Sequence, residues 1–357
     1  MSVRREAAAL LRDATAPLAP FLADPAVEDL AVNESGGFWV RGRAGWTHHT
    51  DPRLDFAWLE GVAVLAGALR DQNVGRRSPI LSTDIPGIGA SAFPLRLEAV
   101  LPPAVPHESI SLCFRRPGDD VAPLEAMPER YDTRLWNKWA ERTKRKREAS
   151  AALLDLYDAG DVVAFMRAVV DTRRNVLFCG PTGAGKTALG RTLTGAVRRC
   201  ERVITIEDSL EMVVPQPNAV RLLYSSGGQG AADLSPGRLL KASLRLRPDR
   251  TIPQELRDPD AAWTYCNEGM TGHPGSLTTI HGEDPPQAGR RLFALVKGSA
   301  EGASIADPTL IDMLAAVVDV IVPVALVEDG RRALREIWFA DDAARHGESF
   351  AALLSTH

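Results

Sequence analysis

Helix and strand patterns that alternate after residue 151, a glycine-rich loop between one such strand and helix, and a shorter mixed region before residue 117 predict an α/β protein. The expected architecture is a mostly parallel sheet covered by helices on both faces. A smaller α+β domain (residues 1–117) precedes it, a linker (118–150) joins the two, and the α/β domain fills residues 151–357.

Length and composition permit this. The chain has 357 residues, 45% hydrophobic and 25% charged, the balance of an ordered globular protein with room for two domains. Its formal charge of −4 supplies no overall attraction to polyanions, so nucleic acid is not implied as a partner. The apolar stretch near the start is broken by Arg12 and Asp13, and no signal-peptide core is expected there. The most apolar region, residues 314–327, is too short to span a bilayer and carries Asp319 and Pro323; it reads as buried helix and strand. Cys113, Cys179, Cys200 and Cys266 are widely spaced with no Cys-x-x-Cys pair, which points to free thiols in a cytoplasmic protein.

Along the first region, helical periodicity covers residues 4–12 and 56–71, while Gly37-Phe38-Trp39-Val40 and residues 109–114 read as strands. Pro117, Gly118, Pro123 and Pro128 then break the pattern, up to a basic run at residues 141–148. That run fits a solvated helix face, or a contact with acidic lipid or a partner. From residue 151 the order is helix (161–171), strand (175–179), loop, helix (186–200) and strand (202–206).

The loop is Gly180-Pro181-Thr182-Gly183-Ala184-Gly185-Lys186-Thr187, followed by Ala188. Glycines let successive backbone N–H groups turn inward around phosphates, where side chains would block the approach. Lys186, one of only six lysines, is placed to reach the β- and γ-phosphates of ATP, and Thr187 to offer its hydroxyl to Mg²⁺. The helix that begins there aims its positive end at the anion.

Three further segments follow. Residues 201–211 hold Glu207-Asp208 at the end of an apolar run; residues 244–257 include Pro253-Gln254-Glu255; residues 269–281 carry His273 and His281 among Gly, Ser and Thr. In order and spacing they resemble the Asp box, Walker B region and His box of the hexameric traffic ATPases of bacterial type IV secretion systems, VirB-eleven type, within the wider type II/IV secretion superfamily. The resemblance covers roughly residues 90–340. It implies a RecA-like P-loop domain that hydrolyses ATP, and a hexameric ring working with inner-membrane channel components and other secretion ATPases. It also implies a cytoplasmic protein, peripheral at the inner membrane.

Carried onto this chain, the resemblance makes Lys186, Glu207 and Glu255 catalytic, with Glu207 and Glu255 joining Thr187 around Mg²⁺. It makes His273 and His281 sensors of the γ-phosphate, together with Arg96 and Arg115 from the first domain. Surface carboxylates at a strand end and structural ion pairs are the plainer readings of Glu207 and of the arginines. One departure stands out: the family's Walker B strand is apolar and ends in Gly-Glu, where this chain has Pro253-Gln254. Proline removes a ladder donor, so a short or bulged strand and slow hydrolysis are expected, with Pro253→Leu plus Gln254→Gly raising turnover. A pilus or type II secretion motor, an ATP-binding ring scaffold with little hydrolysis, and a DNA-dependent recombinase or helicase are the rival functions.

Overall fold

The computed structural model describes residues 2–88, 94–117, 123–131, 133–136, 138–225, 230–328 and 330–356. Six strands make the first sheet: β1 (Asp29–Glu34), β2 (Gly37–Gly42), β3 (Gly45–Thr50), β4 (Ile80–Ile85), β5 (Leu95–Val100) and β6 (Ser111–Arg115). Their order is β3-β2-β1-β6-β5-β4, antiparallel throughout. Phe38 and Val40 alternate inward from β2, the period that a sheet with one covered face requires. Helices Ser2–Ala14 and Phe56–Ala68 cover that face, and Trp58 Nε1 donates to Ala14 O at 2.8 Å to tie them together. Asp55 caps the second helix by accepting from Trp58 N.

Strand β6 does not alternate, because both of its faces are buried. Leu112 and Phe114 face the helices, whereas Cys113 joins Val100, Ala104 and Val105 against Ile204, Ile206, Val220 and Leu222 of the second sheet. The junction between the sheets is therefore an apolar core, not a polar gap.

Beside this core lies Arg202, wholly buried. Its Nη1 donates to Asn33 Oδ1 at 2.7 Å and to Asn218 Oδ1, its Nε donates to Leu246 O at 2.8 Å, and its guanidinium lies 5.4 Å from the Trp46 ring centre. Asp249 accepts from Arg202 N at 2.8 Å and pairs with Arg41 at 3.4 Å.

The expected linker begins among residues outside those described. Its later part holds only short turns of helix up to Leu135, then one helix, Trp139–Asp158, which runs through residue 150 until Leu153 is buried. Among the described side chains of the basic run, Lys144, Lys146 and Arg147 are exposed, and Lys144 pairs with Glu148 at 3.8 Å.

The second sheet contains β7 (Val176–Cys179), β8 (Val203–Glu207), β9 (Ala219–Leu223), β10 (Arg250–Pro253), β11 (Leu277–Thr279), β12 (Val320–Leu326), β13 (Arg332–Leu334) and β14 (Trp338–Phe339). Parallel pairing runs β10-β8-β9 and β11-β7-β12, and a single parallel bridge, Glu255 to Thr279, joins the two groups. Strands β13 and β14 pair antiparallel with β12. Val176 and Phe178 face one core with Phe165, Val169 and Leu193; Leu177 and Cys179 face another with Leu292, Leu310 and Ile321. The RecA-like α/β expectation and the smaller α+β unit are thus both present. All four cysteines are free, and only Cys200 is exposed. Among the described residues no helix is long and apolar enough to cross a membrane.

One buried group opposes this packing. Glu268, on helix Pro259–Met270, is 4% exposed, its Oε1 has no hydrogen-bond partner, and burial pushes its pKa up to about 8. Between about pH 4.5 and about pH 8 the unfolded chain has released this proton and the folded chain has not, so stability falls as pH rises through that window. Glu268→Gln removes the penalty, so its melting temperature should match the parent's near pH 5 and exceed it by a few degrees near pH 8. A difference that does not grow with pH in thermal scans would show that the carboxyl is not held neutral.

Candidate nucleotide site

Cys179 ends β7 and Lys186 begins helix Lys186–Ala196, so residues 180–185 form a tight loop at the carboxyl edge of the parallel sheet. Gly180, Gly183 and Gly185 all have positive φ, at 141°, 81° and 101°. Space as well as conformation demands glycine at Gly180, where an added Cβ would stand 2.1 Å from Val324 O. Ala184 is buried under the loop, while Pro181 and Thr182 are exposed. No side chain caps the helix at Gly185, which leaves first-turn N–H groups of Lys186, Thr187 and Ala188 for an anion.

Lys186 crosses the loop, with Nζ donating to Gly180 O at 2.7 Å and Pro181 O at 3.0 Å. Burial lowers its pKa, and the Glu255 carboxylate nearby opposes that shift. Glu255 has a basic side chain on each side and a hydrogen bond on one. Arg257 Nη2 donates to its Oε2 at 2.5 Å, His281 Nε2 stands 2.8 Å from its Oε1, and Arg257 also reaches Asp208 at 3.6 Å. Arg257 and His281 thus flank Glu255, whose charge reaches Lys186; Arg257, at the end of the 244–257 segment, has no motif signal of its own.

Glu207 does not join them. Its carboxylate is fully buried and accepts from Thr205 Oγ1, from Arg221 Nε and Nη2, and from the N–H groups of Glu211 and Met212. Five donors saturate its two oxygens, so the expected metal and water contacts do not fit this carboxylate. The cause is Arg221 on the neighbouring strand β9, whose partner in register is Thr205. Asp208 and Glu211 are the carboxylates of this segment that face outward.

His273 is also elsewhere. It precedes β11, whereas the phosphate loop follows β7, and the two strands are parallel, so they lie at opposite edges of the sheet. Its Nδ1 is buried without a partner, and burial and then the Arg247 charge lower its pKa. Arg96 and Arg115 are register partners on β5 and β6 and line a cavity of about 370 Å³ with Glu98 and Arg245. Arg245 ends helix Pro236–Arg245, just before β10, which puts both arginines at the edge away from their own chain's phosphate loop.

The proline at 253 causes no bulge. Strand β10 pairs with β8 in register from Arg250 to Pro253, and Gln254 N donates to Ile206 O at 2.8 Å. Neighbouring residues of a strand point their amides to opposite sides, so the missing donor of Pro253 faces β11, where pairing begins only at Glu255. Gln254 is useful, not obstructive: its Oε1 accepts from Asp208 N at 3.2 Å and its Nε2 donates to Glu211 Oε2 at 3.1 Å.

The cradle fits a nucleotide's phosphates. Among the described residues no group of three His, Cys, Asp or Glu side chains could hold a metal alone, so Mg²⁺ would depend on phosphate oxygens with Thr187, half-buried in the first helical turn.

Position at the sheet edge, loop conformation and helix start place the chain among P-loop nucleotide-binding proteins. Comparison with known proteins narrows that class. The family model described as type II/IV secretion system protein matches residues 142–348. Protein VirB11 of Agrobacterium tumefaciens (strain 15955) is 47% identical over 345 residues, 97% of this chain and 98% of that protein. The type IV secretion system protein VirB11 of Bartonella quintana is 33% identical over 94% of each chain. The crystal structure of the Brucella suis VirB11 ATPase, in complex with sulphate, superposes with a TM-score of 0.86 at 28% identity, covering 97% of this chain and 99% of that one. The chain belongs to the VirB11 type IV secretion ATPases, within the type II/IV secretion family.

The ties made by Gln254 reverse the expectation for its replacement. Gln254→Gly removes the two ties of Gln254 to Asp208 N and Glu211 and should lower ATP turnover roughly fivefold, the equivalent of one hydrogen bond of about 1 kcal/mol. The ATP dissociation constant should stay within about twofold. A gain in turnover would show that the glutamine obstructs the site after all.

Proposed function

We propose that this chain is a Mg·ATP hydrolase that works as a six-membered ring and drives pilus assembly or substrate transport in a type IV secretion system. The observation that carries the reading is the positive-φ glycine loop that opens a helix at the carboxyl edge of the sheet, with Lys186 laid across it. In this reading the N–H groups of residues 180–188 wrap the phosphates, and Lys186 leaves its carbonyl partners for the β- and γ-oxygens. Glu255 orients the water that attacks the γ-phosphorus and accepts its proton, with His281 close enough to the same carboxylate to register the γ-phosphate. Magnesium, when bound, would neutralise charge on the phosphate oxygens next to the Thr187 hydroxyl.

Arg96 and Arg115 lie away from their own loop, so the reading assigns them to the nucleotide of a neighbouring copy. That assignment makes the ring part of the site. It also divides the chain by task, with residues 1–117 closing on nucleotide, 118–150 linking, and 151–357 binding and hydrolysing it. Inner-membrane channel components and other secretion ATPases are the partners in this reading, and the cytoplasmic side of the inner membrane is its place. A ring scaffold with little hydrolysis is the alternative reading; the in-register pairing of the short strand β10 up to Pro253 supports the hydrolase over it.

Lys186→Ala should abolish hydrolysis and weaken nucleotide binding, since the loop loses its one mobile cation; turnover at the parent's rate would overturn the reading. Sedimentation at micromolar concentration should show a ring that Mg·ATP strengthens. A monomer under both conditions would remove the proposed role of Arg96 and Arg115.

A further inference from the structure

The flank of the phosphate loop away from Glu255 is formed by the hairpin β12–β13. Strand β12 runs beside β7 with Pro323 opposite Cys179, so Val324 packs against Gly180. The chain then turns back through β13, with Arg332 opposite Leu326. This return lays the Arg332 side chain directly on the loop: a Cβ at Gly185 would stand 2.6 Å from Arg332 Cδ and 2.7 Å from its Nε. Among the described residues the Arg332 side chain makes no ion pair or hydrogen bond, and the residue is exposed. A guanidinium always carries its charge and presents a planar fork suited to two oxygens of one phosphate.

We propose that Arg332 is a nucleotide-binding residue, gripping the α- and β-phosphates from the flank of the loop opposite Glu255. The choice of phosphates follows from direction. Glu255 and His281 stand on the β10–β11 side, where the reading above puts the γ-phosphate and water, so the β13 side faces the unreactive end of the phosphate chain. Arg332 thus contributes equally to ATP and ADP binding and little to the chemical step. This role rests on the reading of the loop as a nucleotide site, and it adds a second cation to Lys186 from a separate element of the fold.

Fluorescent ATP and ADP analogues titrated into the full chain test this, with parent, Lys186→Ala, Arg332→Gln and Arg332→Lys compared in one buffer. Arg332→Gln should raise the dissociation constants of both nucleotides by roughly tenfold, the loss expected for a charge-assisted contact at an exposed site. Arg332→Lys should recover part of that loss, kcat at saturating ATP should fall by less than about twofold, and the melting temperature without nucleotide should not change. Parent binding that Arg332→Gln leaves intact overturns the role of Arg332 alone. A loss confined to ATP overturns the assignment to the α- and β-phosphates, and a parent that binds neither nucleotide overturns the site itself.

Discussion

The buried guanidinium of Arg202 is the constraint on which the arrangement of the two sheets depends. It sits just ahead of β8 and takes partners from both sides of the junction: Asn33 and Trp46 from the first sheet's unit, Asn218 and Leu246 from the second. Burial lowers its pKa, so each of these acceptors matters. A hydrogen bond to a charged group is worth about 1.5–3 kcal/mol, more than a typical surface contact. Asp249, just ahead of β10, extends the same anchor by binding Arg202 N and Arg41. Both anchors lie at the amino edge of the parallel strands. The opposite edge, with the phosphate loop, is left for ligand.

At that opposite edge, charge is balanced within a few side chains. Glu255 stands between Arg257 and His281, and its negative charge partly offsets what burial does to Lys186. Asp208 shares Arg257 with Glu255, while Gln254 holds the segment that carries Asp208 and Glu211. Gln254 and Arg257 therefore tie the Walker B segment to the Asp box, although Asp208 and Gln254 are nearly fifty residues apart.

What could be read from the sequence was local. The phosphate loop, its strand and its helix depend on residues next to one another, and all three are where periodicity and glycine spacing put them. Expectation and structure part where a side chain's surroundings come from another strand. Glu207 is neutralised by Arg221, across a pairing that no pattern in residues 201–211 reveals. The cost of Pro253 turns on which neighbour its missing donor faces, a fact fixed only when β8 and β11 are in place. His273 and His281 share one motif, but β11 lies between them and carries them to opposite edges. Arg332 gave no signal, since only the return of the hairpin brings it to Gly185.

The weak seam in the parallel sheet has a mechanical meaning. Strands β9, β8 and β10 form one leaf, and β11, β7 and β12 the other, and across the seam the backbone is joined at Glu255, by Leu256 N to Thr279 O at 2.9 Å and Thr279 Oγ1 to Gln254 O at 2.9 Å. The first leaf carries the whole N-terminal sheet on its face, and the second carries the phosphate loop. This backbone stitch lies at the Walker B glutamate, and nearer the amino edge Arg250 Nη1 ties the seam again by donating to Gly275 O at 3.2 Å. Glu255 follows a strand of the first leaf and Lys186 follows a strand of the second, so the gap between them is set by how the two leaves sit against each other.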